Sequence, residues 1–218
     1  MRYGLTLDSS HPLDEVVGQV QRAADAGFAS VSASQIFGYD ALTLLAVAGQ
    51  RVPGIELVTG VVPTYPRHPI MLAAQALTVQ AATGGRLTLG IGLSHKVVIE
   101  NMFGHSFDRP ARHMREYLSA LVPLLHGEQV AVRGETLTAA TMGPLDIDAP
   151  APPVLVAALG PRLLELAGAV ADGTVLWMTG RDTVASHVVP KLSAAAEAAG
   201  RPAPRVVCAL PIAVTADP

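Results

Sequence analysis

The sequence predicts an α/β protein, a parallel TIM (β/α)8 barrel whose C-terminal strand and helices are missing from its 218 residues. Three observations predict it. Strand-like apolar runs alternate with helix-period segments from end to end, seven strands against six helices. Such a series folds either as an open doubly wound sheet or as a barrel. The dinucleotide-binding open sheet carries Gly-x-Gly-x-x-Gly after its first strand. Here Asp8-Ser9-Ser10 follows that strand, and Gly90-Ile91-Gly92 has His95 where a third glycine belongs. The barrel is therefore favoured. A full barrel takes about 250 residues, so either the chain continues past Pro218 or the barrel is incomplete.

Each element has a local cause. Tyr3–Leu7 reads as a first strand. Pro12 suits a helix first turn, with Asp14 and Glu15 at its positive end. Leu13, Val16, Val17, Val20 and Ala24 recur at helical spacing, and Gly27 stops the helix. Phe28–Ser34 is a second strand. Asp40 caps a second helix running to about Gly49. Ile55–Val62 follows the Pro53-Gly54 turn as a third strand. His68-Pro69 opens a third helix that ends at Gly84-Gly85. Arg86–Leu93 is a fourth strand, and Asp108 with Pro110 opens a fourth helix ended by Gly127. Residues 128–152 break the rhythm as a hairpin-like excursion within a single 1–218 domain. Val154–Leu159, Thr174–Met178 and Val206–Val214 are strands five to seven. Helices opening at Pro161 and spanning Asp182–Ala199 separate them.

Composition removes several functions. The net charge is −3, with 15 Lys+Arg against 18 Asp+Glu, so no basic patch for nucleic acid is expected. No apolar run reaches the roughly 18 residues of a membrane helix, and Met1-Arg2 leads straight into a strand with no signal-peptide pattern. A soluble, cytoplasmic protein without nucleic-acid or membrane partners is expected. The single Cys208 excludes an internal disulfide or cysteine-rich metal site, and in its apolar strand it is expected to be inert core. No metal site and no Walker loop is expected.

A barrel carries its chemistry at the C-terminal ends of its strands. Those ends hold Asp8, Ser34-Gln35, Thr59-Gly60-Val61, Gly90, Gly92, Ser94-His95, Leu159-Gly160-Pro161 and Thr179-Gly180. The rim lacks paired carboxylates, a His-Glu-x-x-His pattern and a Gly-x-Ser-x-Gly elbow. It is rich in glycine, which lets backbone approach a flat or phosphorylated ligand. The reactive group is then expected to belong to a cofactor.

The stretches Thr59-Gly-Val-Val-Pro-Thr-Tyr-Pro-Arg-His-Pro69 and Gly84-Gly-Arg-Leu-Thr-Leu-Gly-Ile-Gly-Leu-Ser-His95 resemble the luciferase-like monooxygenase superfamily. Arg109-Pro110 to Glu116-Tyr117, Gly127, Gly134, Ala157–Pro161 and Ala171-Asp-Gly173 continue the likeness. Phe37-Gly-Tyr-Asp40 and the Leu-Ser-His ending point to its deazaflavin branch, whose members use coenzyme F420. Many of them carry the label methylenetetrahydromethanopterin reductase. The resemblance implies a luciferase-like barrel and hydride transfer between F420 and a small organic substrate such as an activated alkene, imine or carbonyl.

It also implies roles for residues. Gly60-Val61 matches a third-strand bulge with a non-proline cis peptide behind the cofactor ring. Thr59 precedes that bulge and Gln35 stands at the strand-two end, both expected to contact the cofactor, and Gly90, Gly92, Ser94 and His95 match the fourth-strand segment beside it. Leu159, Gly160 and Pro161 match the phosphate-receiving turn, where a helix N-terminus favours anions. Thr179 and Gly180 match a second phosphate-side contact. The sugar-phosphate dehydrogenases of the family have a histidine at the strand-two end and a glutamate on strand four. Ile36 and Leu93 stand there, so glucose 6-phosphate is not the expected substrate. His95, Asp8 and Tyr39 remain as candidates to move the proton.

Two other functions fit the sequence: an FMN-dependent two-component monooxygenase, or a non-catalytic cofactor-holding member. Arg67 and Arg162 are candidates to pair with an anionic cofactor tail. Trp177 is read as cofactor contact or core. His68 is expected to start a helix, and Glu100, His105 and His113 to lie on solvated surface. The second and third helices carry almost no charge on any side, which predicts a homodimer through them.

Overall fold

Parallel pairing builds the barrel wall in the order β1 (Gly4–Thr6), β2 (Ser30–Ala33), β3 (Glu56–Thr59), β5 (Leu87–Gly92), β8 (Val154–Ala157), β9 (Gly173–Trp177) and β10 (Arg205–Ala209). The computed structural model describes residues 1–35 and 37–215. Helices α1 (Leu13–Asp25), α2 (Ala41–Arg51), α3 (Pro69–Thr83), α5 (Pro110–Leu125) and α6 (Pro161–Val170) return the chain between strands. This is the expected α/β barrel, nearly closed. Among the described residues β1 pairs only with β2, and β10 only with β9.

The strands are short because their outer faces meet helices and their inner faces meet each other. Every residue of β5 is buried, as an interior parallel strand requires. The outer layer packs through small residues. A Cβ on Gly168 of α6 would crowd the Ala195 side chain at 2.9 Å on the last outer helix.

Arg86 holds the lower end of the wall together. Its guanidinium donates to four carbonyls: Thr83 (2.8 Å) from Nε, Val52 (3.1 Å) and Ile55 (2.9 Å) from Nη1, and Gly49 (2.5 Å) from Nη2. These oxygens end α2 and α3 and precede β3. Helix C-termini leave such carbonyls without intrahelical partners, and a cation there also suits the helix dipole. A second ionic tie crosses the barrel. The Glu56 carboxylate on β3 takes both terminal nitrogens of Arg205 on β10, together with Thr88 Oγ1 at 2.6 Å. Partial burial opposes its charge, but Arg205 and Thr88 overcome this and hold the carboxyl below its ordinary range.

The structure departs from the sequence reading at four places. The third strand is not continuous: it leaves the ladder after Thr59 and rejoins as β4 (Val62–Pro63), which pairs with Ile91 and Gly92. A short helix α4 (Lys96–Asn101) follows β5. The last helical segment is composite: α7 (Arg181–Thr183) passes through a π-turn at Val184–Val188 into α8 (Val189–Ala198). Pro190 has no N–H for the Ser186 carbonyl, so the turn before it widens. The seventh strand stops at Ala209 rather than Val214, because β10 has no second neighbour to prolong it. Cys208 is consequently exposed rather than core, and Ile212 is 85% exposed. The excursion at 128–152 contains the hairpin β6 (Ala131–Arg133) and β7 (Thr138–Ala140). Glu116 of α5 docks its tip by accepting from the Glu135 and Thr136 amides at 3.1 and 2.8 Å.

Arg86→Lys should lower stability by about 2 kcal/mol, since a point ammonium cannot serve four carbonyls that a planar fork reaches. Urea denaturation of the two proteins checks it. An unchanged midpoint would show that the four bonds contribute nothing net.

Candidate functional site

The third-strand bulge shapes the barrel mouth. The Gly60–Val61 peptide is cis. Strands on both sides grip it. Ser34 Oγ donates to the Gly60 carbonyl (2.7 Å), and the Gln35 amide donates to the Val61 carbonyl (3.2 Å). From the other side Thr59 Oγ1 donates to the Gly90 carbonyl (2.8 Å) and accepts from the Gly90 amide (2.7 Å). A Cβ on Gly90 would fall on the Thr59 carbonyl oxygen, and one on Gly92 would sit 2.7 Å from Val61 Cγ2. Only glycine lets β5 lie this close to the bulge.

Above the bulge opens a cavity of about 1130 Å³. Ser34, Gln35, Gly60, Val61, Gly92, Leu93, Ser94 and His95 form its base and near side. Phe37, Met71, Phe103, Phe107 and Trp177 form its apolar walls. Trp177 is 65% exposed, so its ring is a free platform at the rim rather than core. The volume lies just above the usual range for small-ligand sites, and an apolar lining with few polar groups is their usual chemistry.

The site residues expected from sequence separate into two groups. Gln35, Gly60, Val61, Gly92, Ser94 and His95 line the cavity. Thr59 and Gly90 lie beneath it, where the Thr59 hydroxyl is spent on the Gly90 backbone. Asp8 lies off the lining. Its carboxylate accepts from the Ser10 amide and hydroxyl at 3.0 and 2.6 Å, which holds it below the ordinary carboxylate range, and it also contacts His11. Tyr39 lies off the lining and is partly exposed. Leu159, Gly160, Pro161, Thr179 and Gly180 cluster on the β8 and β9 side, outside the cavity. Gly160 caps α6 without a side-chain bond. Pro161 has no N–H and the Leu163 and Leu164 amides donate to the Gly160 carbonyl at 3.1 and 3.0 Å, so in the first turn the Arg162 amide is left without a partner among the described residues. Ile36, at the place of the family's strand-two histidine, lies outside the described residues.

His95 is exposed at the N-cap of α4, and its ring makes no hydrogen bond among the described residues. His68 behaves as the expected helix starter. Its Nδ1 accepts from the Ile70 amide (3.3 Å), which leaves Nε2 to donate to the Thr138 carbonyl (2.8 Å). Arg162 faces a separate groove with Arg112 and Arg115. Arg67 does line the cavity, but Asp40 already pairs with it.

His113 is buried rather than on solvated surface, because α5 turns this face toward the loop after β4. Its ring stacks on Tyr65 at 3.9 Å, and Tyr65 stacks on Phe107 at 5.3 Å. His113 Nε2 meets Thr64 Oγ1 at 3.1 Å, and Tyr117 Oη donates to the Arg67 carbonyl at 2.7 Å. This column fixes the 64–67 loop against α5. Sequence reasoning missed Phe103, Phe107 and Met71. The available signal was placement: of four Phe, three lie in the segments that follow strands two and four.

The family profile for luciferase-like monooxygenases matches residues 1–218. The chain belongs to the luciferase-like monooxygenase family. It is 31% identical over 192 residues to a Mycobacterium tuberculosis protein named as a coenzyme F420-dependent oxidoreductase, covering 79% of this chain and 54% of that one. It is 28% identical over 208 residues to the 5,10-methylenetetrahydromethanopterin reductase of Methanolobus tindarius, covering 92% and 61%. The chain thus spans little more than half the length of these relatives. Among solved structures, the F420-dependent tetrahydromethanopterin reductase of Methanopyrus kandleri superposes with a TM-score of 0.82 at 24% identity. It covers 95% of this chain and 65% of that one.

Burial pushes the His113 imidazole down to about 4. The unfolded chain, with an ordinary histidine near 6.5, therefore binds the proton first. Stability should be full above pH 6.5 and fall toward pH 4, at up to about 1.4 kcal/mol per pH unit from this group. Thermal melts across that window should show the slope, and His113→Phe should flatten it. Identical slopes in both proteins would contradict the assignment.

Proposed function

We propose that this chain forms most of the barrel of a cytoplasmic oxidoreductase that transfers a hydride between coenzyme F420 and a small organic substrate. The observation that carries the reading is the floor of the cavity. A side-chain-poor surface of Gly60, Val61 and Gly92 lies under apolar aromatic walls, which suits a flat ring system. The names of the Mycobacterium and Methanolobus relatives support the same cofactor. The described lining residues include no Asp or Glu, which agrees with a reactive group supplied by a bound cofactor.

Gly60, Val61, Gly92, Ser94 and Gln35 would hold the ring, and the α6 N-terminus at Gly160-Pro161, with Thr179 and Gly180, would receive its phosphate. When bound, the deazaflavin supplies the hydride. The protein's share is to hold ring and substrate at reaction distance, an effect worth about 7–11 kcal/mol of barrier. Among the proton-transfer candidates His95 is favoured over Asp8 and Tyr39, because it lines the cavity with an unengaged ring. A lone cysteine outside any disulfide agrees with a reducing compartment, and no helix among the described residues is long and apolar enough to cross a membrane.

A second reading, FMN-dependent oxygenation, is favoured by one fold neighbour. The oxygenating constituent of 3,6-diketocamphane monooxygenase from Pseudomonas putida, solved with FMN, superposes with a TM-score of 0.76 at 20% identity over 92% of this chain and 64% of that one. Titration separates the two readings. Trp177 is the only tryptophan and lines the cavity, so F420 should quench its fluorescence with micromolar or tighter affinity. FMN should bind at least tenfold more weakly. Preference for FMN would transfer the assignment to oxygenase chemistry, and binding of neither would remove the cofactor reading.

We further propose a homodimer through α2 and α3. The inward face of α3 is buried in the monomer, and its outward positions Met71, Gln75, Thr78 and Ala81 carry no charge. Thr78→Arg should convert the dimer to monomer in size-exclusion chromatography. A wild-type protein that already runs as a monomer would refute it.

A further inference from the structure

Arg67 is the only permanently charged side chain on the cavity lining, and no Asp or Glu is present among the described lining residues. Its charge is not free. One guanidinium nitrogen pairs with Asp40 and also reaches Gln35 Oε1 at 3.4 Å, while the other donates to Gln75 Oε1 at 2.8 Å. The Arg67 side chain is 16% exposed. Asp40 is itself fixed, because its Oδ1 caps α2 through the Thr43 amide and hydroxyl, both at 2.8 Å. Partial burial works against the Asp40 charge, yet the Thr43 amide and the Arg67 guanidinium hold its carboxyl below the ordinary range. The cavity therefore presents a neutral pair where sequence alone shows a cation.

The same pair orients an amide. Gln35 Oε1 accepts from the Ala41 amide at 2.8 Å as well as from Arg67. Both partners can only donate, so the oxygen must face them and the amide cannot be flipped. Its Nε2 is left with two hydrogens and no partner among the described residues, on a side chain that lines the cavity. A donor fixed in an apolar pocket rejects ligands that leave it unpaired.

We propose that Arg67 and Asp40 act as a charge-neutral clamp holding the Gln35 N–H2 toward the ligand. The cavity would thereby select uncharged substrates that carry an acceptor, such as a ketone, aldehyde or imine, over carboxylates and phosphates. That the ligand is a substrate rests on the hydride-transfer reading. Gln35 and Arg67 are specificity-determining, and Asp40 is a positioning residue that acts through them.

The test is binding to the full chain, read from the indole N–H resonance of Trp177. Cyclohex-2-enone and cyclohexanecarboxylate are the probes, and F420 is titrated separately. Wild type should bind the enone at least tenfold more tightly than the carboxylate. Gln35→Met should weaken the enone about five- to tenfold, as expected for one neutral hydrogen bond, and leave the carboxylate unchanged. Asp40→Asn keeps a helix cap but releases the Arg67 charge, so it should improve carboxylate binding at least fivefold. A wild type that prefers the carboxylate overturns the proposal. So does a folded Gln35→Met protein with unchanged enone affinity. Weakening of F420 alone would assign the amide to a ring carbonyl of the cofactor and overturn the substrate assignment. Failure of F420 to bind wild type, with the probe pattern intact, would sink the hydride-transfer reading and leave the selection of neutral ligands standing.

Discussion

The mouth of this barrel depends on the contact between Thr59 and Gly90. A parallel barrel normally closes its interior with layers of side chains. Here Thr59 spends its hydroxyl on both backbone groups of Gly90, and the absence of a Cβ lets the two strands touch. The third strand then has to leave the ladder for Gly60 and Val61 before it pairs again at Val62. That departure puts backbone, rather than side chains, at the base of the mouth. Ser34 and Gln35, just past the second strand, donate to the bulge carbonyls, so the displaced segment is hydrogen-bonded on that flank while Thr59 secures the other.

The surroundings extend this logic outward. The His113–Tyr65–Phe107 column braces the loop that leaves β4, and Tyr117 secures the Arg67 carbonyl. Arg67 then reaches the cavity already neutralised by the cap of α2. The helix that follows the second strand and the loop that follows the third are therefore tied through one ion pair, with Gln35 between them. Charge ties elements together at Arg86 and at Glu56–Arg205, and is cancelled at Arg67 where a ligand would sit.

Much of the fold was legible because each strand and helix is punctuated by its own chemistry. Asp40, Pro69, Gly84, Pro110 and Pro161 mark helix ends that the structure keeps. The third strand misled because Leu57–Val62 holds no charge and no proline, and hydropathy alone does not record a break in pairing. Cys208 misled for the opposite reason: its neighbours are apolar, but burial depends on a strand on the far side of β10, and among the described residues β10 pairs only with β9. His113 was read by type, and only the packing of α5 shows that it is neutral and stacked. The cavity was legible at its glycine floor, through the family likeness of Gly60 and Gly92. Its aromatic walls were not, since Phe103 and Phe107 sit on loops whose path sequence periodicity does not describe. Thr59 was expected to contact the cofactor, whereas its bonds to Gly90 hold its hydroxyl beneath the cavity.

On the proposed reading, the bulged third strand and the glycines of β5 form the floor on which the deazaflavin would lie. Hydrogen exchange of the full chain with and without F420 tests this most directly. Binding should slow exchange in residues 59–68, 92–98 and 174–178 and leave the arginine groove at 111–116 on α5 unchanged. Protection at that groove, with none at the bulge or the β5 end, would contradict it.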